Sequence, residues 1–212
     1  MKNTSSDFSD FDYGKDIVPL GEYETIPVTG DPDPANWPNV IPLGFKLDVE
    51  KLREDYDAFP KDGPNYLADR ARHFKYSIKK TNEFFQWLGF TSQNYFVYPV
   101  RKKGTNEVLP ETGEYTKNLL ENFGVPLFRQ QYVTATKEFE TRWHRDHPEF
   151  SIHGYRLFIP LDTAYLRFDE DESVTYDLPP GDAYFVNIGK MHKAFAVSDR
   201  TVLMCQMADD TL

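Results

Sequence analysis

The feature that most constrains the fold is a run of short strand-like segments that starts at about Leu127. Turn residues, such as Pro148, Gly181 and Ser198, separate most of these segments. Many short strands with frequent turns predict an antiparallel sandwich or barrel. The segments are LFRQQYVTAT, FETRWHRD, YRLFIPLD, YLRFDE, SVTYDL, AYFVN, HKAFAV and RTVLMCQM. Several of them, including YRLFIPLD, are apolar on both faces and therefore need cover on both sides.

Helices are the natural cover, and the sequence predicts two of them before Leu127. Residues 48–59 carry apolar side chains at helical spacing. A second helix is predicted from about residue 65 to residue 88, with a break near His73 and a stop at Gly89.

The domain organisation follows from these patterns. Residues 1–43 are rich in proline, which favours an extended, irregular arm with Trp37 and Ile41 as anchors. Residues 44–126 are predicted to form the helical cover and a connecting segment that mixes a strand-like run, YFVYPV, with turns. Residues 127–212 form the predicted strand-rich core, and the cover and the core together are expected to make one domain.

Composition argues against several functions. The 212 residues carry 24 basic and 34 acidic side chains and a formal net charge of −10. The chain is therefore a poor candidate for binding nucleic-acid phosphates or an anionic membrane. Its one cysteine, Cys205, allows neither an intrachain disulfide nor a cysteine-rich zinc site. The sequence shows no leader-like or membrane-spanning apolar stretch, so a soluble, cytoplasmic protein is expected.

Four of the five histidines lie in the strand-rich part of the chain. His144 and Asp146 are two residues apart, so in a strand both side chains point to the same face. His192 opens a later strand-like segment and is the best third ligand for a metal. Two histidines and one carboxylate leave coordination positions open, which favours non-haem Fe(II) chemistry. A structural zinc site would close all four positions.

Three arginines stand out because a guanidinium buried in a strand is costly unless an anion pairs with it. Arg200 follows His192 by eight residues, and its planar fork suits a carboxylate. Arg156 lies in an otherwise apolar strand, and Arg142 shares the strand parity of the first two metal candidates. Arg156 and Arg142 are therefore candidates for binding a substrate carboxylate.

Each of these residues also has a structural interpretation. Arg200 could instead pair with Asp182 or Asp199, and Arg156 is as compatible with a structural ion pair as with substrate binding. The other histidines are expected to be structural, to lie at the surface or to contact the ligands from outside: His73, His147 and His153.

The order His144-x-Asp146, His192 and Arg200 resembles the Fe(II)/2-oxoglutarate-dependent oxygenases. The segments HGYRLFIPLD and HKAFAVSDRTVL make the chain most similar to the aspartyl/asparaginyl β-hydroxylase-like group. The resemblance covers about residues 127–207 and implies a mainly β fold with N-terminal helices, a double-stranded β-helix (a cupin-like jelly roll). It further implies a dioxygenase that uses Fe(II), 2-oxoglutarate and molecular oxygen to hydroxylate an amino acid or another carboxylate-bearing small molecule.

The resemblance also implies roles for individual residues. The implied metal ligands and catalytic residues are His144, Asp146 and His192. Arg200 would bind the distal carboxylate of 2-oxoglutarate. Phe158 departs from the group's pattern, since the group has a histidine two residues after the arginine that matches Arg156. Two other classes stay open, a cupin-type isomerase with another metal and a non-catalytic jelly-roll module for binding or structure, and neither needs Arg200.

Overall fold

The computed structural model describes residues 7–11, 36–61, 77–102, 105, 107–124, 127–146, 155–169 and 171–206. It contains three helices within these ranges, α1 (Val49–Ala58), α2 (Ile78–Leu88) and α3 (Glu114–Glu121). The strands are β1 (Val40–Pro42), β2 (Tyr95–Pro99), β3 (Phe128–Ala135), β4 (Tyr155–Pro160), β5 (Ala164–Phe168), β6 (Asp171–Leu178), β7 (Tyr184–Asn187), β8 (His192–Phe195) and β9 (Arg200–Gln206). No helix in the described ranges is both long enough and apolar enough to cross a membrane.

The first two helices begin and end at residues that satisfy free backbone groups. Asp48 accepts a hydrogen bond from the Lys51 amide at the start of α1, and Ser77 accepts one from the Lys80 amide at the start of α2. Gly89 ends α2 with a φ of 106°, a left-handed conformation that favours glycine. Both predicted helices are confirmed where the structure describes them. The first part of the second prediction, through residue 76, lies outside the described residues.

Helix α3 was not predicted from the sequence. Its N-cap residue, Gly113, has no side chain to accept a hydrogen bond, so the usual local signal is missing. The cap comes instead from α1, where the Asp55 carboxylate accepts a 2.6 Å hydrogen bond from the Thr116 amide. Because that partner is 61 residues away in the chain, only the packing of the two helices reveals it.

The strands form two antiparallel sheets. The large sheet has the order β1-β7-β4-β9-β3-β2, and the small sheet has the order β6-β5-β8. The predicted strand over 139–146 forms only two isolated bridges to the small sheet, Glu140 to Phe195 and His144 to His192. It thus lies beside β8, where a fourth strand of the small sheet would lie. Between β4 and β9 the chain crosses from one sheet to the other four times, with β5 and β6 forming a hairpin within the small sheet. This is the topology of a double-stranded β-helix, and the predicted jelly roll is confirmed.

Apolar clusters cover both faces of the large sheet. One fills the space between the sheets and reaches α2, so that Phe158 of β4 and Phe84 share a cluster. The other packs α1 and α3 on the outer face, where Leu157 of β4 meets Leu52 and Leu120. Each fully buried side chain of this size contributes about 1.5–3 kcal/mol. The helices therefore provide the cover that the two-faced strands need.

The arm is more regular than the prolines suggested. Val40–Pro42 forms β1, which pairs with β7, so the prediction that regular structure is absent there is wrong. Pro42 is tolerated because β1 is an edge strand, where a missing amide donor costs little. The predicted anchors are confirmed: Trp37 stacks on Tyr155 with ring centroids 5.6 Å apart, and Ile41 packs against the same pair.

Candidate metal centre

Residues 140–146, which we call the ligand segment, lie beside β8, and His144 and His192 face each other across the gap between them. The His144 amide donates to the His192 carbonyl at 3.0 Å, and the His192 amide donates back to the His144 carbonyl at 2.8 Å. Residues paired in this way point to the same face of a sheet. The two imidazole centroids are accordingly 4.4 Å apart, and both residues are buried at 4% exposure.

Asp146 brings a carboxylate to the same place. Its amide donates to the Ile188 carbonyl at 3.1 Å, which continues the pairing of the segment beyond His144. Its Oδ1 lies 3.6 Å from Nε2 of His144 and 3.9 Å from Nε2 of His192. The structure therefore brings all three predicted ligands together, with their ligand atoms within 4.8 Å of one another.

Backbone carbonyls orient both imidazoles. Nδ1 of His144 lies 2.9 Å from the Arg142 carbonyl oxygen, and Nδ1 of His192 lies 2.9 Å from the Lys190 carbonyl oxygen. Because a carbonyl only accepts, Nδ1 carries the proton in each ring and Nε2 presents its lone pair to Asp146 and the other histidine. Partners of this kind fix the orientation of metal-ligating histidines.

Burial keeps both imidazoles neutral. Burial, and then the neighbouring His192, lower the pKa of His144 to about 4. Burial also lowers the pKa of His192. A metal ligand must offer an unprotonated nitrogen, so at neutral pH no proton has to leave either ring before a metal binds.

Arg156 of β4 holds the outer oxygen of the aspartate. Its Nη1 lies 2.6 Å from Oδ2 of Asp146, whereas Oδ1 is the oxygen that faces the two histidines. Of its two sequence interpretations, the structure shows the ion pair. A guanidinium on Oδ2 turns Oδ1 towards the histidines and so favours monodentate coordination of a metal.

The donor set fits a metal ion of the iron type. Two neutral imidazoles and one carboxylate on one side of an ion are the 2-His-1-carboxylate arrangement, which keeps the remaining positions open. Aromatic rings close the space around the histidines, since Phe90 contacts His144 edge-on at 5.8 Å and Phe168 lies 6.1 Å from His192. Neither ring stands out in the sequence, because no local pattern links Phe90 or Phe168 to the histidines.

Arg200 opens β9 on the inner face of the large sheet and is 2% exposed. Its Nε and Nη1 atoms are buried without a hydrogen-bond partner among the described residues, and its guanidinium lies 5.6 Å from the centre of the Phe139 ring. Burial lowers the pKa of Arg200 to about 10, so the side chain stays charged at neutral pH. A buried, charged fork with free donors is the feature that an anionic ligand would satisfy.

The alternative partners of Arg200 are engaged elsewhere. The Asp182 carboxylate accepts hydrogen bonds from the amides of Gly44 and Phe45, and Oδ1 of Asp199 accepts one from the Lys137 amide. Among the described residues, Arg200 forms no ion pair with either aspartate. The described part of the chain therefore contains neither of the two ion pairs that would give Arg200 a purely structural role.

Arg142 does not join the cluster. Its side chain is exposed, lies 4.9 Å from the centre of the Trp87 ring and donates from Nε to the Trp87 carbonyl at 2.9 Å. The expected inward orientation is wrong, because the segment is not a continuous strand between Glu140 and His144 and strand alternation does not extend to position 142. The remaining histidines, His73, His147 and His153, lie outside the described residues.

Comparison with known proteins adds little beyond the fold. No protein-family model and no curated protein matches the chain. An oxidoreductase of the 2OG-Fe(II) oxygenase family from Burkholderia pseudomallei is similar in structure, with 14% identity over 70% of this chain and 91% of that chain and a TM-score of 0.40. A mutant salicylate 1,2-dioxygenase from Pseudoaminobacter salicylatoxidans has 12% identity over 60% of this chain and 31% of that chain, with a TM-score of 0.35.

A conserved Streptococcus pyogenes protein of unknown function has 20% identity over 37% of this chain and 61% of that chain, with a TM-score of 0.30. The chain thus spans less than two thirds of the length of this protein and of the salicylate dioxygenase. Other similar structures are cupin proteins. None of these likenesses gives evidence for the aspartyl/asparaginyl β-hydroxylase-like group. The fold is a cupin-like jelly roll, and the function must be argued from the site.

Proposed function

We propose that the protein is an Fe(II)- and 2-oxoglutarate-dependent dioxygenase that hydroxylates an amino acid or another carboxylate-bearing small molecule. The observation that carries the proposal is the buried Arg200 guanidinium, which lies in the same jelly roll as the three-ligand cluster. Its Nε and Nη1 have no hydrogen-bond partner in the part of the chain that the structure describes. A dicarboxylate that reaches from a metal to this arginine would satisfy both features.

The chain's own residues would divide the work as follows. Nε2 of His144, Nε2 of His192 and Oδ1 of Asp146 would hold the metal, and the backbone carbonyls behind the imidazoles keep those nitrogens aimed at it. When bound, iron with 2-oxoglutarate and oxygen supplies hydrogen abstraction and hydroxyl transfer, so that a C–H bond and O₂ become C–OH while 2-oxoglutarate yields succinate and CO₂.

Arg200 would bind the distal carboxylate of the co-substrate. Two parallel N–H···O bonds from its fork match the two oxygens of a carboxylate and fix the orientation of the molecule. The buried Phe139 ring, 5.6 Å from the guanidinium, keeps water away and so strengthens this pairing. A lysine could not provide the same two-point contact.

Arg200 also separates this proposal from its rivals. A cupin-type isomerase would use the three ligands with another metal and would not need a second, anionic ligand inside the roll. A non-catalytic jelly roll would have no use for a charged guanidinium with free donors, which costs stability when it stays unpaired. Molecular oxygen and a small-molecule substrate complete the proposal, and the acidic composition argues against a nucleic-acid substrate.

The first test is anaerobic titration of the Fe(II)-loaded protein with 2-oxoglutarate, followed by visible absorption. We expect a weak metal-to-ligand charge-transfer band and a defined Kd. Arg200→Met should raise the Kd for 2-oxoglutarate by about 100-fold, because two charge-assisted hydrogen bonds are lost, and should leave the Kd for Fe(II) unchanged. Arg167→Met is the matched control, because Arg167 lies exposed on the outside of the small sheet.

Retained iron without any 2-oxoglutarate band would contradict the proposal and favour the isomerase class. If the wild-type protein bound neither Fe(II) nor 2-oxoglutarate, a non-catalytic module would be favoured. If Arg200→Met and Arg167→Met changed the Kd for 2-oxoglutarate equally, Arg200 would not be a ligand of the co-substrate.

A further inference from the structure

Gln206 is the last residue of β9, at the opposite end of the strand from Arg200. Side chains two residues apart share a face, so Arg200, Met204 and Gln206 all point towards the interior of the roll. The two end residues are six positions apart, which corresponds to about 20 Å along the strand. One strand thus presents two separate polar positions to the same interior.

The carboxamide of Gln206 is buried and unpartnered within the described residues. The residue is 3% exposed, and both its Nε2 and its Oε1 lack a hydrogen-bond partner within the described part of the chain. Few buried polar groups in folded proteins are left in this state, because each unmade bond costs roughly 1–3 kcal/mol. The side chain therefore has a donor and an acceptor that a ligand can satisfy.

The position lies beside the metal cluster. Gln206 is the Cα partner of Arg156 across β4 and β9, and side chains paired in this way stand about 5 Å apart on one face. Arg156 in turn contacts Asp146 at 2.6 Å. On its other side Gln206 pairs with Phe128 of β3. A group bound at Gln206 would thus lie at the same end of the roll as the ligands.

Charge decides which ligand group fits. The guanidinium of Arg156 is already paired with the Asp146 carboxylate, so it offers no uncompensated charge to a second anion. A carboxylate bound at Gln206 could accept from Nε2 but would leave Oε1 facing a negative group. A neutral amide edge, with one carbonyl oxygen beside one N–H, satisfies both atoms of Gln206 at once.

We propose that Gln206 is a specificity-determining residue that binds a neutral primary carboxamide of the substrate through a pair of hydrogen bonds, in which the substrate carbonyl accepts from Nε2 and the substrate N–H donates to Oε1. This inference rests on the proposed function, because it treats the interior beside the metal cluster as the substrate side. It narrows the substrate from any carboxylate-bearing molecule to one that also carries an amide.

The test is calorimetric titration of the anaerobic Fe(II)- and 2-oxoglutarate-loaded protein with amides and their acid counterparts. The probes are L-asparagine against L-aspartate, L-glutamine against L-glutamate, and N-acetylglycinamide against N-acetylglycine. We expect at least one amide to bind at least about tenfold more tightly than its acid, since the acid leaves a buried acceptor unpaired. In Gln206→Met this preference should disappear while the Kd for 2-oxoglutarate stays the same.

Gln130→Met is the matched control. Gln130 is also a buried glutamine whose Oε1 lacks a partner among the described residues, but its Nε2 donates to the Leu127 carbonyl at 2.7 Å, so the substitution breaks a hydrogen bond. Gln206→Met should leave the Tm unchanged or raise it, because an apolar chain of similar shape removes two unpartnered atoms. A hydrogen-bonded structural role would instead lower the Tm, as we expect for Gln130→Met.

The outcomes separate the two proposals. Calorimetry detects binding whether or not the 2-oxoglutarate band is present, so amide preference without the band would keep the Gln206 site and break the proposed function. A normal band with no amide binding, or with acids bound as tightly as amides, would overturn the inference about Gln206 alone. An amide preference that persists in Gln206→Met would also overturn it.

Discussion

The two sheets of the roll support polar groups in opposite ways. The small-sheet side carries the metal cluster, and its ligand segment over 140–146 is irregular, with only two isolated bridges to β8. The large sheet carries Arg200 and Gln206 on β9, a continuous strand in which every residue is buried and which has a neighbour on each side. Irregular backbone holds two of the three ligands, His144 and Asp146, and regular backbone holds the polar groups on β9.

The difference lies in which groups are already satisfied. On the small-sheet side, each imidazole has its Nδ1 on a carbonyl, and Asp146 is paired with Arg156. On β9, Arg200 and Gln206 keep buried donors or acceptors that have no partner within the described ranges. The metal cluster is therefore preorganised by the chain itself, whereas β9 carries groups that only a ligand completes.

The largest expected effect comes from removing a ligand on the small-sheet side. Asp146→Ala should raise the Kd for Fe(II) or Mn(II) by more than about 100-fold, since it removes the only carboxylate of the described cluster. Isothermal titration calorimetry with Mn(II) measures this change. Asp199→Ala is the control, because that exposed carboxylate accepts only a backbone hydrogen bond among its described contacts. Equal metal affinity in both variants would mean that the cluster is not a metal site.

A smaller effect is expected from the backbone that supports the ligand segment. At Gly89 an added Cβ would overlap the carbonyl oxygen of Glu140, and the φ of 106° is unfavourable for other residues. Gly89→Ala should lower the free energy of unfolding by about 3 kcal/mol, from conformational strain together with overpacking. Urea unfolding measures the loss.

Gly44→Ala isolates the contribution of the close approach. Gly44 also has a positive φ, of 71°, but apart from its two chain neighbours no atom of the described residues lies within 4 Å of an added Cβ. We therefore expect this variant to lose only about 1–2 kcal/mol. If the two variants were equally stable, the close packing of the ligand segment against the end of α2 would be unimportant for stability.

The smallest of the three effects is expected for the ion pair between Arg156 of the large sheet and Asp146 of the ligand segment. Arg156→Met should weaken Mn(II) binding by about 10–100-fold, because Asp146 loses the partner that holds its outer oxygen. Arg142→Met is a matched control: this arginine is two residues from His144, yet its side chain lies outside the cluster on Trp87. A larger loss in Arg142→Met than in Arg156→Met would show that the ion pair does not orient the aspartate.

Sequence patterns were sufficient for much of the jelly roll and for its donor set. The strand-like segments, the two helices and the parity of His144 and Asp146 are all encoded by residues close together in the chain. The same parity failed for Arg142, because the segment leaves strand geometry between the two bridges. Alternation is a property of continuous strands, and no local pattern marks where a strand stops pairing.

Only the tertiary structure shows that Arg156 contacts Asp146 and that Gln206 lies beside Arg156. Gln206 shares the parity of Arg200, so its inward direction is readable from the sequence. Its lack of a partner is not, because that depends on what the other strands bring opposite it. Likewise, the cap of α3 comes from Asp55, on another helix. Residue types and their periodicity define which elements form, whereas the register between distant strands decides which polar atoms meet and which are left for a ligand.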